Sequence, residues 1–171
     1  RVACFRENAW KLIDVSEEMQ DIILFDSLEY SFHMENLHEP STILTHEAIT
    51  KLAAAFTDAW VRETCFPALR DEWSDSNKAM GQCAATALVV HDMYGGTFAD
   101  DKRLNHVWNI LPDGSQHDFC RMQFESGVKP EMTTTKTRED LLHHKKAEEM
   151  EMEDRYRLLK ERVESILHSW L

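Results

Sequence analysis

Gly81-Gln82-Cys83-Ala84-Ala85-Thr86-Ala87-Leu88-Val89-Val90 is the stretch on which the reading of this chain turns. A cysteine heads a run of small and apolar residues, Ala84 to Val90, in a helix that continues to Tyr94 and stops at Gly95-Gly96, as a helix stops when glycine follows its C-terminus. The polar segment Trp73 to Lys78 reads as the loop that delivers Cys83 to the helix mouth. A thiol there meets unpaired backbone N–H groups and the positive end of the helix dipole, and both favour its anion. Only the thiolate is a nucleophile, and an ordinary thiol is a few per cent ionised near neutral pH.

Downstream, the spacing predicts two strands, Leu104 to Leu111 and Ser115 to Cys120, joined by Pro112-Asp113-Gly114. Proline fixes φ and glycine accepts φ > 0, so this is a hairpin turn. A three-residue loop sets Asp118 opposite Trp108 and makes His106 its diagonal neighbour on the same face. A two-residue loop puts His106 and Asp118 on opposite faces. Cys83, His106 and Asp118 thus follow in the order nucleophile, base, orienting carboxylate. Backbone N–H groups at the helix mouth, with the Gln82 amide, are candidate oxyanion donors. Trp108 and Trp73 are candidate pocket walls. The rivals are His91 as base and Asp113 as orienting group, although Asp113 at the turn tip reads better as a turn-former, and His117 points away from Asp118. The bland alternatives are a structural buried cysteine and a hydrogen-bonded strand histidine.

Three zones organise the chain. Residues 1–42 form an N-terminal extension, with Ser16-Glu17-Glu18 as a start for a short helix to Ser31, or a strand at Ile22–Phe25, and a loop over His33–Pro40. Residues 43–132 form the main domain. There Thr45 caps a helix predicted to reach Glu63, with Ile49, Leu52, Ala53, Phe56 and Trp60 as its buried stripe. Residues 133–171 start with a Thr133-Thr134-Thr135 linker and a Thr137…Asp140 capping box. A long charged helix then runs to the end, with Met152, Tyr156, Leu159, Val163, Ile166 and Trp170 as an apolar seam. That seam docks on its own domain, on a second copy, or on a partner protein.

Net charge is −12, from 31 acidic and 19 basic residues, which argues against binding a phosphate backbone. No apolar stretch is long enough to span a membrane. Four dispersed cysteines, Cys4, Cys65, Cys83 and Cys120, show no CxxC spacing and fit a reduced, cytoplasmic setting. Nothing calls for a metal or a cofactor: His143 and His144 are adjacent on a helical pattern and point about 100° apart, so they do not share one ion.

The order Gly81-Gln82-Cys83, His106-Val107-Trp108-Asn109, Asp118 resembles the papain-like and transglutaminase-like cysteine enzymes, in which a cysteine opens a core helix and a histidine and an aspartate stand on neighbouring strands. Within that group the chain is similar to the YunG-like family. The likeness rests on Trp60, Glu63-Thr64-Cys65, Gly81 to Val90, Asp92, Gly95-Gly96, His106 to Asn109, Leu111 to Gly114, Asp118 and Gln123-Phe124. It covers residues 57–125. It implies a papain-like fold and strengthens the three site residues, but implies no substrate.

The expectation is therefore an α+β protein, a papain-like/transglutaminase-like core in which the Cys83 helix packs on a small antiparallel sheet, with an N-terminal segment and a long C-terminal helix added. The expected activity is acyl transfer on an amide of a protein or peptide by a Cys83–His106–Asp118 triad: hydrolysis, deamidation or transglutamination. The alternative is a catalytically idle domain that recruits a protein partner through its terminal helix.

Overall fold

The computed structural model describes residues 2–6 and 9–13 by their backbone, and residues 44–143 and 145–171 in full. Two compact units are present, Arg1–Pro40 and Ser41–Leu171. In the first, β1 (Val2–Arg6) pairs antiparallel with β2 (Ala9–Ile13), Arg6 opposite Ala9. The helix or strand expected after Ser16 and the loop over 33–40 lie outside the described residues.

The second unit opens with α1 (His46–Ala59). Thr45 Oγ1 accepts from Ala48 N–H at 3.2 Å, as a cap should. Leu52, Phe56 and Trp60 of the expected stripe are buried, joined by Ala55 and Ala59. The helix ends at Ala59 rather than Glu63. Trp60 turns extended (φ −65, ψ 124), stacks on Phe56 at 6.0 Å and donates Nε1–H to Thr86 Oγ1 at 3.0 Å. Burying that indole with its donor satisfied outweighs one more helical turn. The chain from Arg62 to Thr64 continues as a single 3-10 turn, closed by Thr64 Oγ1 on both backbone groups of Val61.

α2 (Cys83–Tyr94) begins and ends where its sequence signals put it, with Gly95 at φ 72 donating to His91 O at 2.7 Å. Ala85 to Val90 are all buried, because α2 packs on the sheet and on the last helix. The sheet holds β3 (Thr97–Asp101), β4 (His106–Ile110), β5 (Gln116–His117) and β6 (Thr134–Lys136) in the order β5-β4-β3-β6, antiparallel throughout. β4 and β5 are shorter than expected, but their register is the three-residue-loop one, Asn109 opposite His117. Asp113 Oδ1 accepts from Ser115 N–H (2.9 Å) and Oγ–H (2.6 Å), so it shapes the turn.

β3 and β6 correct the sequence reading, which had no strand at 97–101 and a linker at 133–135. Asp100 and Asp101 give β3 the look of a loop, yet both are buried. Lys136 Nζ meets Asp100 at 2.7 Å; Arg103 and the Glu131 N–H, at 2.8 Å, satisfy Asp101 and hold its carboxyl well below the usual range. A near neighbour, Arg103, and two partners far along the chain, Glu131 and Lys136, thus let the strand bury its carboxylates.

The C-terminal region is corrected as well. α3 (Arg138–Leu142) carries the Thr137–Asp140 capping box but stops after five residues. Turns follow, and Glu151 adopts a left-handed φ of 47 before α4 (Met152–Ser169) begins. The break lets Met152 enter the core and Glu151 pair with Arg70. Met152, Leu159 and Val163 are buried against α1 and α2, Tyr156 and Ile166 are half-buried, and only Trp170 is exposed. Most of the apolar seam is therefore spent inside this unit. Among the described residues no helix is long and apolar enough to cross a membrane.

Candidate active site

The Gly81 turn aims the cysteine. Gly81 has φ +66, and a Cβ there would lie 2.7 Å from Cys65 Sγ, so both conformation and space require glycine. Its carbonyl accepts from Phe66 N–H at 2.9 Å, which ties the turn to the segment after α1. Cys83 is then the first residue of α2, half-buried, with the unpaired N–H groups of the first turn around it.

β4 packs on α2 and brings His106 to Cys83. The ring is fully buried, stacked on Trp108 at 5.6 Å and met edge-on by Phe124 at 4.9 Å. Nε2 lies 2.8 Å from Asp118 Oδ2, the diagonal pairing that the hairpin parity predicts. Asp118 Oδ1 accepts from Cys120 N–H at 3.0 Å, which fixes the carboxylate. The structure thus brings Cys83, His106 and Asp118 together.

Their electrostatics favour an ion pair. Burial opposes ionisation of the Cys83 thiol, but its hydrogen bond to His106, the His106 charge, the Val107 N–H and the Arg155 guanidinium outweigh it and hold the thiol below its ordinary value. Burial likewise opposes a charged His106, yet its bonds to Asp118 and Cys83 raise it to about 9. Burial pushes the Cys120 thiol well up and the Cys65 thiol up. Among the three described cysteines, only Cys83 is shifted toward thiolate.

The other candidates fare differently. Gln82 is fully buried and turned inward: Nε2–H donates to Val61 O at 3.0 Å and Oε1 has no partner. This corrects its assignment as an oxyanion donor, since that hydrogen bond commits the amide to the core. The side-chain amide that does stand at the site is Gln123, whose Nε2 lies 3.0 Å from His106 Nδ1. Sequence reasoning noted Gln123 only as part of a motif, because no spacing rule links it to His106. Trp108 lines a crevice with Cys83 and Thr86 that is too narrow for a water-sized body, and its Nε1–H is held by Gln116 at 2.9 Å. Trp73 does not line it; its indole pins its own loop through Lys78 O at 3.0 Å. His91 packs on Phe98 at 5.2 Å, away from Cys83.

Among the described residues no group of three or more His, Cys, Asp or Glu is placed to hold a metal. The unpaired backbone N–H groups at the mouth of α2 are the donors beside the thiol, an arrangement suited to attack on a carbonyl and stabilisation of the resulting oxyanion.

No solved structure matches this chain. The "Uncharacterized protein YunG" of Bacillus subtilis (strain 168) is 32% identical over 60 residues, which cover 34% of this chain and 51% of that protein. The chain thus spans about half the length of this curated relative. A family model described as YunG protein matches residues 48–168, well beyond the 57–125 of the motif likeness. The match runs from α1 into the last turn of α4, so both the thiol site and the C-terminal helix lie inside it, and the chain belongs to the YunG family.

Proposed function

We propose that this protein is a cysteine-nucleophile acyl-transfer enzyme of papain-like/transglutaminase-like type, acting on an amide of a protein or peptide. The observation that carries the reading is the imidazole of His106, which lies 2.8 Å from Asp118 and interacts electrostatically with the Cys83 thiol. In the proposed reaction the Cys83 thiolate attacks the carbonyl carbon, and the C–O π pair moves onto oxygen, where the amides of α2 receive it. His106 passes its proton to the departing nitrogen as the C–N bond breaks and a thioester forms. Water, or an amine, then attacks the thioester and returns a proton to His106, releasing the product and the thiolate. Peptidase, deamidase and transglutaminase outcomes differ in the amide taken and in the acceptor.

Alkylation with iodoacetamide at pH 6, followed by peptide mapping, tests this. Cys83 is expected to react at least about tenfold faster than Cys65 and Cys120, because its thiolate fraction is higher at that pH. Cys83→Ala is expected to abolish the fast labelling. Equal, slow labelling of all thiols overturns the proposal. The tightness of the crevice beside Cys83 favours the second reading, an idle binding module, which the same equal labelling supports.

A further inference from the structure

Among the described residues Arg155 of α4 is the only buried arginine or lysine, 2% exposed. None of its acceptors is a carboxylate. Nη2–H donates to Gly81 O at 2.7 Å, Nε–H to Thr64 O at 3.0 Å and Nη1–H to Met150 O at 3.2 Å, while the Phe66 ring lies 5.8 Å from the guanidinium carbon. Glu151, the acidic group that faces it, is already held by both Nη atoms of Arg70. The Arg70, Glu151 and Arg155 cluster therefore keeps one positive charge in excess, and it lies behind the mouth of α2.

A buried cation without a counter-ion is costly, and an apolar side chain of similar volume would fill the space at less cost. What the guanidinium does that an apolar side chain does not is grip the carbonyl two residues before Cys83 and bring a charge that acts on the thiol. We propose that Arg155 is a positioning residue of the Cys83 site: from α4 it pins the Gly81 turn that presents the thiol, and its charge favours the thiolate. The inference rests on the thiolate reading of Cys83 given above. It makes the C-terminal helix, inside the family match, a part of the active site rather than an appendage.

The electrostatics of the cluster agree with this. Burial lowers Arg155 to about 10, against the raising effect of Cys83, Cys65 and Glu151. The titratable and charged groups around Arg155 are Cys83 on α2, Cys65 after α1, Arg70 in the following loop and Glu151 before α4, with Arg62, Glu63 and Asp154 lining the pocket on its outer side. Those facing Cys83 are His106 on β4, Arg155, Cys65 and Cys120, with Asp118 and His117 on the wall of the same crevice. His106 and Arg155 are the cations that lower the thiol.

The test compares the pH profile of iodoacetamide modification at Cys83 in the wild-type chain, Arg155→Met and Arg155→Lys, with folding followed by circular dichroism. The expected result is a midpoint about one unit higher in Arg155→Met, hence about tenfold slower labelling at pH 6, and a return toward wild type in Arg155→Lys, which restores charge without the planar fork. A folded Arg155→Met with the wild-type midpoint overturns the inference and leaves the enzyme reading standing. A wild-type Cys83 that titrates as an ordinary thiol overturns the enzyme reading and the inference with it. Should Arg155→Met not fold, NMR of the wild-type chain decides. The Arg155 Nε–H resonance is expected to step with pH at the Cys83 midpoint and to lose that step in Cys83→Ser; no step in wild type overturns the inference.

Discussion

Replacing Asp118 by Asn removes a charge from the site and keeps the shape. The Asp118 side chain is 16% exposed and lies 2.8 Å from His106 Nε2, so solvent screens the contact little. Burial favours the neutral ring, and the Asp118 hydrogen bond is the largest of the effects that raise His106 to about 9. A hydrogen bond to a charged group is worth about 1.5–3 kcal/mol, and one pKa unit is about 1.4 kcal/mol. Asp118→Asn is therefore expected to bring the His106 midpoint down by about one to two units, to ~7–8. The sign follows from linkage. A raised histidine pKa means that the folded chain holds the proton more tightly than the unfolded one, so this stabilisation is complete below the ordinary value of 6.5 and is lost as pH climbs through about 9. Asp118→Asn draws in the alkaline edge of that window, while the Asn Oδ1 still accepts the Cys120 N–H. The assay is the pH dependence of the His106 Cε1–H chemical shift in the folded wild type and variant. A midpoint that stays near 9 in Asp118→Asn would refute the role given to this carboxylate.

Two glycines at positive φ should respond very differently to alanine. At Gly96 (φ +92) a Cβ would stand 2.1 Å from the Ile110 carbonyl oxygen, a backbone atom that cannot yield, and Gly96→Ala is expected to cost at least about 3 kcal/mol in urea unfolding. At Gly114 (φ +83) nothing lies within 4 Å, so Gly114→Ala is expected to cost only about 1–2 kcal/mol; equal losses would count against the close packing of Gly96 on β4. Leu159 of α4 is fully buried, and Leu159→Ala should lower unfolding stability by about 2–5 kcal/mol. A loss under about 1 kcal/mol would mean that α4 does not dock here and would return the helix to the role of partner handle.

The legible features were the ones set locally. The Cys83 helix announced both its ends, because glycine precedes and follows a run of small and apolar residues. The Pro112-Asp113-Gly114 turn marked the hairpin but left two registers open, and the structure takes the three-residue-loop one, which sets His106 and Asp118 on one face. β3 was hidden, because Asp100 and Asp101 read as solvated until Lys136, Arg103 and the Glu131 backbone bury and pair them. The break before α4 was hidden too. Its helical pattern is nearly continuous, and the interruption answers to the core position of Met152 and the Arg70–Glu151 pair rather than to a local breaker. Of two glutamines near the thiol motif, adjacency favoured Gln82, yet Gln82 bonds inward to Val61 and Gln123 stands at the imidazole.

By itself the chain singled out Cys83, His106 and Asp118 as candidate site residues, since helix caps, a turn and a strand's alternation are properties of neighbouring residues. Only the tertiary structure decided what surrounds the sulfur. A guanidinium from α4 reaches the Gly81 turn across 74 residues and an amide from the segment after β5 meets the ring across 17. Charge and hydrogen bonding act through space, and their partners are chosen by packing rather than by order along the chain.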